Sequence, residues 1–108
     1  MNYLLRLFLV VLFIPGLVAC FISDKANLRE GIDSFRVEEY RTAFVRLKPL
    51  AKKGQADAQY AVGYMYYYGK GVVEDRKKAW FWITAAANAG QPDALVAAKM
   101  LDGNMNTK

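Results

Sequence analysis

One thiol, two adjacent pairs of carboxylates and a run of closely spaced tyrosines are the groups in this 108-residue chain that could do chemistry. Cys20 is the single cysteine, and histidine is absent. That combination removes the usual ligand sets for zinc, the Ser/His/Asp triad and the Cys/His pair. Glu38-Glu39 and Glu74-Asp75 could in principle supply the two acids of a glycan-cleaving site. Such a site needs a cleft that holds two carboxyl groups at a set separation, whereas acids adjacent in sequence at helix starts are accounted for by the helix dipole. The residues therefore point away from an enzyme and call for no metal or cofactor. Tyr60, Tyr64, Tyr67 and Tyr68 recur at i, i+4 and i+7/i+8, which is one stripe of a helix. Tyrosine joins a rigid ring to a hydroxyl tip and is enriched at the centres of interfaces. This stripe is the candidate contact surface for a protein partner; the competing reading is that Tyr60 and Tyr64 simply pack on neighbouring helices.

Charge narrows the partners further. The chain carries 15 Lys and Arg against 10 Asp and Glu, a net +5. Between residues 24 and 48 the two signs alternate, and the densest basic cluster, Arg76-Lys77-Lys78, directly follows Glu74-Asp75. A mixed surface of this kind is a solvated helix face rather than a groove for DNA or RNA. At a membrane the excess would give a weak attraction to anionic headgroups.

The elements that position these groups fall into two parts. From Leu7 to Ile22 runs an unbroken apolar stretch of sixteen residues containing Pro15 and Gly16. A membrane span needs about 20 apolar residues, so the stretch reads as a signal peptide, with Pro-Gly as a break ahead of the cut. Leu17-Val18-Ala19-Cys20 resembles the bacterial lipobox. That resemblance implies a leader over residues 1–19, diacylglycerol on the Cys20 thiol, and durable anchoring by two or three acyl chains. Phe21, where an Asp would imply inner-membrane retention, favours the outer membrane by the same analogy. Cleavage after Ala19 without lipid, and an uncut anchor helix over about 4–22, stay open as alternatives. In each case the remainder is expected outside the cytoplasm.

Within the expected repeat domain, residues 20–108, the chain reads as helix after helix from Ser23 on. Comparing the chain with itself reveals an offset of 36, which pairs Gly54 with Gly90, Gln55 with Gln91, Asp57 with Asp93, Ala58 with Ala94 and Ala61 with Ala97. Glu38/Glu74, Ala43/Ala79, Phe44/Trp80 and Leu47/Ile83 fall in the same register. A period in the mid-thirties with two helices per period means stacked helical hairpins. Helices are expected over 25–35, 38–53, 56–68, 75–89 and 92–101. Asp75 is the expected N-cap, Pro92 opens the last helix, and Gly54 and Gly90 supply left-handed turns. Ala58, Ala61, Val62, Met65 and Tyr66 form the core stripe of the third helix, met by Ala79, Trp82 and Ala86. Trp80, Phe81 and Trp82 are consecutive, so one of them must face away from the core. The Gly, Asn and Lys content of the end of the chain suggests fraying.

Ala56, Ala58, Val62-Gly63, Tyr66, Gly69-Lys70-Gly71-Val72, Asp75, Lys78-Ala79, Trp82, Ala86-Ala87 and Gly90 together resemble the Sel-one-like repeat, a relative of the tetratricopeptide repeat. Gly69 follows an apolar helix rather than a strand, so its Gly-x-Gly is not a phosphate loop. The resemblance implies an all-α solenoid of about five helices: a degenerate first unit over 24–54, a full repeat over 55–90, and a capping helix with a tail over 91–108. In that fold the first helix of each unit lines the concave surface. Phe35-Arg36-Val37 replaces the glycine loop in the first unit, and Lys99 and Asp102 stand where Gly63 and Tyr66 would recur; both departures suit caps. The expected function is a membrane-tethered periplasmic lipoprotein that binds an unidentified protein through its repeats, with its oligomeric state open. The alternative is a secreted or inner-membrane-anchored repeat protein acting as a regulator or effector.

Overall fold

The computed structural model describes residues 2–106, with the side chains at 8–18 and 105–106 outside the description. Five helices follow one another: α1 (Asn2–Arg36), α2 (Tyr40–Lys52), α3 (Ala56–Tyr68), α4 (Arg76–Asn88) and α5 (Pro92–Asn106). Among the described residues every regular element is an α-helix. Each helix packs on the next, so α1/α2 and α3/α4 form antiparallel hairpins and α5 begins a third unit. This is the all-α stacked array that the 36-residue period requires.

The core is one continuous cluster. Leu47 from α2 and Val62 and Met65 from α3 are fully buried, with Trp82 and Ala79 from α4 closing over them. Burying a side chain of that size contributes about 1.5–3 kcal/mol. Small residues set the helix separation. A Cβ on Gly63 would lie 2.7 Å from Ile83 Cγ1 and 3.2 Å from the Ala79 carbonyl oxygen, so α3 and α4 approach to backbone distance there. All five residues of the expected α3 core stripe are buried, and of the consecutive aromatics Phe81 is the one turned outward, 63% exposed.

The turns explain the glycine loop. Gly69 takes the left-handed conformation (φ 65°) that ends α3, and both it and Lys70 donate their N–H to the Met65 carbonyl. Gly71 (φ 72°) lies against the first turn of α2, where a Cβ would be 2.8 Å from Arg41 N and Tyr40 C. The loop is thus a packing device between hairpins, locked at its far end by Asp75, whose carboxylate caps α4 by accepting from Lys78 N at 3.0 Å. In the first hairpin Glu38, at φ 63°, does the glycine's work. It lies in the turn ahead of the N-cap Glu39 rather than in the helix, which corrects the expected start of α2.

Two other boundaries differ from expectation. α1 begins at Asn2 rather than near residue 25, and it is continuous past Pro15-Gly16, where a break is expected. A proline inside a helix removes one backbone hydrogen bond, and the helix carries on across that single loss. α5 runs on through Gly103 to Asn106, beyond the expected end at 101, while Thr107 and Lys108 lie outside the described residues. Among the described residues, α1 meets the domain from Asp24 onward: Leu28, Ile32 and Phe35 pack on the core, and Lys53–Asp24 (2.9 Å) and Arg46–Glu30 (2.6 Å) tie α1 to α2. The remainder projects away, and the molecule measures 71 × 28 × 20 Å.

Candidate functional site

The four tyrosines of α3 come together on the face shared by α1, α3 and α5. Tyr64 sits at the middle, its ring 5.2 Å from Phe35 of α1 and 4.7 Å from Tyr68. The series continues from Phe35 to Tyr40 (5.6 Å) and from Tyr68 to Tyr67 (4.8 Å), mostly edge to face, the arrangement that ring quadrupoles favour. Arg76 closes it with its guanidinium 3.9 Å above the Tyr67 ring, held there by Glu74 at 2.9 Å. Tyr60, Tyr64 and Tyr67 are half-buried and Tyr68 is 55% exposed. They are neither core residues nor free side chains: each has one flank packed and another open.

The open flank is one wall of a groove of about 420 Å³ whose other wall is α5. Val96 and Met100 supply that wall, and Met100 is 67% exposed. Asp93 stands at one end, in the first turn of α5, close enough to the Tyr60 phenol to reinforce the upward pKa shift that burial imposes on it. Phe35, Tyr40, Arg76, Asp93, Val96 and Met100 were not among the candidates read from sequence. Their periodicity on their own helices is unremarkable, and only the stacking of the other helices around α3 joins them to the tyrosines.

The array's polar joints are equally regular. Gln91 accepts from Ala94 N at 2.6 Å, capping α5, and donates across the repeat to Asp57 at 3.4 Å. Gln59 donates to the Ala51 carbonyl at the end of α2 at 3.1 Å. On the opposite face, Lys48 places its ammonium 5.0–5.4 Å from the rings of Phe44, Tyr66 and Trp82 and donates to the Tyr66 hydroxyl at 2.9 Å. Here a lysine of the chain itself lies over the rings, beside a cleft lined by Arg41, Phe44, Tyr66 and Lys78, whereas among the described residues no cationic side chain lines the tyrosine groove. Glu74 pairs with Arg76 and Asp75 caps α4, while Glu38 takes the left-handed turn and Glu39 starts α2 without a side-chain cap bond; among the described residues no three acidic, thiol or imidazole groups converge on a point where a metal could sit.

Cys20 is exposed on the projecting part of α1, with Ala19 before it and Phe21 after it also exposed. The side chains of Leu17 and Val18, the first half of the lipobox-like run, lie outside the described residues. Among the described residues no helix is long and apolar enough to cross a membrane.

With this geometry in place, the comparisons are direct. Residues 56–91, spanning α3, the glycine loop, α4 and the turn into α5, match the Sel1 repeat family. The chain is 33% identical over 67 residues to the ERAD-associated E3 ubiquitin-protein ligase component HRD3A of Arabidopsis thaliana. That alignment takes in 61% of this chain and 9% of the plant protein. No solved structure matches. The chain therefore carries a Sel1/tetratricopeptide-like repeat domain, homologous to Sel1-repeat proteins. The Sel1 match lies wholly outside residues 1–20.

Proposed function

We propose that this chain is an adaptor that holds a partner protein in the α3–α5 groove and is itself tethered to a bacterial envelope membrane through lipid on Cys20. The observation that carries the binding half is the tyrosine ladder with one flank packed and one open, facing Val96 and Met100. The plant relative is named as a component of a ligase, a part within a larger assembly, which fits an adaptor's place. Support for the tether comes from Leu17-Val18-Ala19-Cys20 and from the exposure of Tyr3, Leu4, Leu5, Leu7, Phe21 and Ile22 along the N-terminal arm of α1. The periplasmic side and the outer membrane follow from the lipobox analogy. An uncut anchor helix, or a secreted regulator, is the second reading, and the same exposed apolar arm favours the anchor.

Two experiments separate these readings. The mass of the N-terminal peptide from membrane-purified protein, against a Cys20→Ala variant, should show a start at Cys20 with added acyl mass. An intact Met1 would leave the anchor, and an unmodified start at Cys20 the secreted form. Tyr64→Ala with Tyr67→Ala should abolish cross-linking of the partner while the circular dichroism of the helices is kept; undiminished cross-linking would remove the groove as the site.

A further inference from the structure

The groove is built of rings, aliphatic side chains and a single formal charge. Of the residues that line it, Asp93 alone has a carboxylic or basic side chain. The array itself indicates what such an aspartate is for. Asp57, its mate one repeat earlier, receives a side-chain donor from the following unit, Gln91 at 3.4 Å. Asp93 occupies the same place in α5, is exposed, and among the described residues accepts no hydrogen bond and forms no ion pair. It is an exposed helix-start carboxylate that receives no donor from the hairpins and stands at the mouth of an apolar slot. At 420 Å³ the slot has the size of a cleft for a few side chains, not of a face for a whole domain. Its rings stand at 52° and 77° to one another rather than in one plane, so they form pockets for side chains and no flat platform for sugar rings.

Resting on the groove reading above, we propose that the occupant is a short apolar segment of a partner protein carrying one lysine or arginine, its cation on Asp93 and its apolar side chains between Tyr64 and Met100. Aliphatic contact supplies the affinity, and the carboxylate fixes direction and register, the usual division of labour between apolar and charged contacts.

Phage-displayed random dodecapeptides selected on the full-length chain in detergent test this. The expected result is an enriched set sharing apolar positions and one basic residue at fixed spacing. Replacing that residue by Glu should weaken binding about three- to tenfold at low salt, and Asp93→Lys on the protein should reverse the preference. Enriched peptides that need Tyr64 and Met100 but ignore Asp93→Lys would overturn the cation while leaving the groove reading intact. Absence of any peptide sensitive to Tyr64→Ala would sink both. Concentration-dependent dimers by sedimentation that disappear with Met100→Lys would assign the groove to a second copy, and binding of glycan chains in place of peptides would likewise overturn the proposal.

Discussion

Gly71 shows how much one residue can decide in so small a core. It is left-handed and abuts the backbone of α2 at 2.8 Å, so Gly71→Ala meets both conformational strain and a contact that cannot give way. A cost of about 2–4 kcal/mol is expected, read as a lowered urea midpoint. Gly90, also left-handed but with open space around it, should cost about 1 kcal/mol on the same substitution. The difference between the two isolates the docking of the loop from the geometry of the turn. Tyr60 is telling in another way. Burial and the neighbouring Asp93 raise its phenol above the ordinary value of 10.0 in the folded state. The unfolded chain releases that proton first, so stability is intact below about pH 10 and declines as pH rises through the folded-state value. Tyr60→Phe should flatten this decline in thermal melts taken between pH 9 and about 11.5, and a spectrum recorded at rising pH should lose one late-ionising tyrosine.

At the scale of elements, the helices that punctuate themselves were legible and the others were not. α3 runs over the residues expected because Gln55 and Gly69 bracket a clean apolar stripe, and the cap Asp75 was plain from its type and its place after the loop. Asp75→Ala should cost about 1 kcal/mol, since it strands the Lys78 N–H; the midpoint of chemical unfolding measures it. Glu38 escaped notice because nothing in a glutamate announces a positive φ. The start of α1 is not legible because an apolar stretch and an amphipathic helix join without any stop signal between residues 20 and 25. The tyrosine side of the groove could be read from one helix's periodicity, but the Val96 and Met100 wall could not, since it depends on the angle at which α5 lies beside α3. As only the end of α1 near Leu28, Ile32 and Phe35 meets the core, removing residues 1–22 should leave the melting temperature of the remainder unchanged within about 2 °C. A drop of ten degrees would show that the arm is part of the fold.

The whole molecule is a short stack with a long handle. Its greatest dimension, 71 Å, owes more to the 35 residues of α1, about 52 Å of helix, than to the hairpins. The groove lies on α3 and α5, with Tyr64 against Phe35 at the end of α1, and the Lys53–Asp24 joint lies farther back along α1. Mechanically, α1 is therefore a lever whose grip runs parallel to its own axis. A pull along it is resisted in shear, with Leu28, Ile32 and Phe35 and two surface ion pairs sharing the force at once instead of opening one after another. Force applied sideways at the arm's tip would instead be magnified by its length and peel α1 from α2, so the hairpin that carries the handle is strong in one direction and weak in the other.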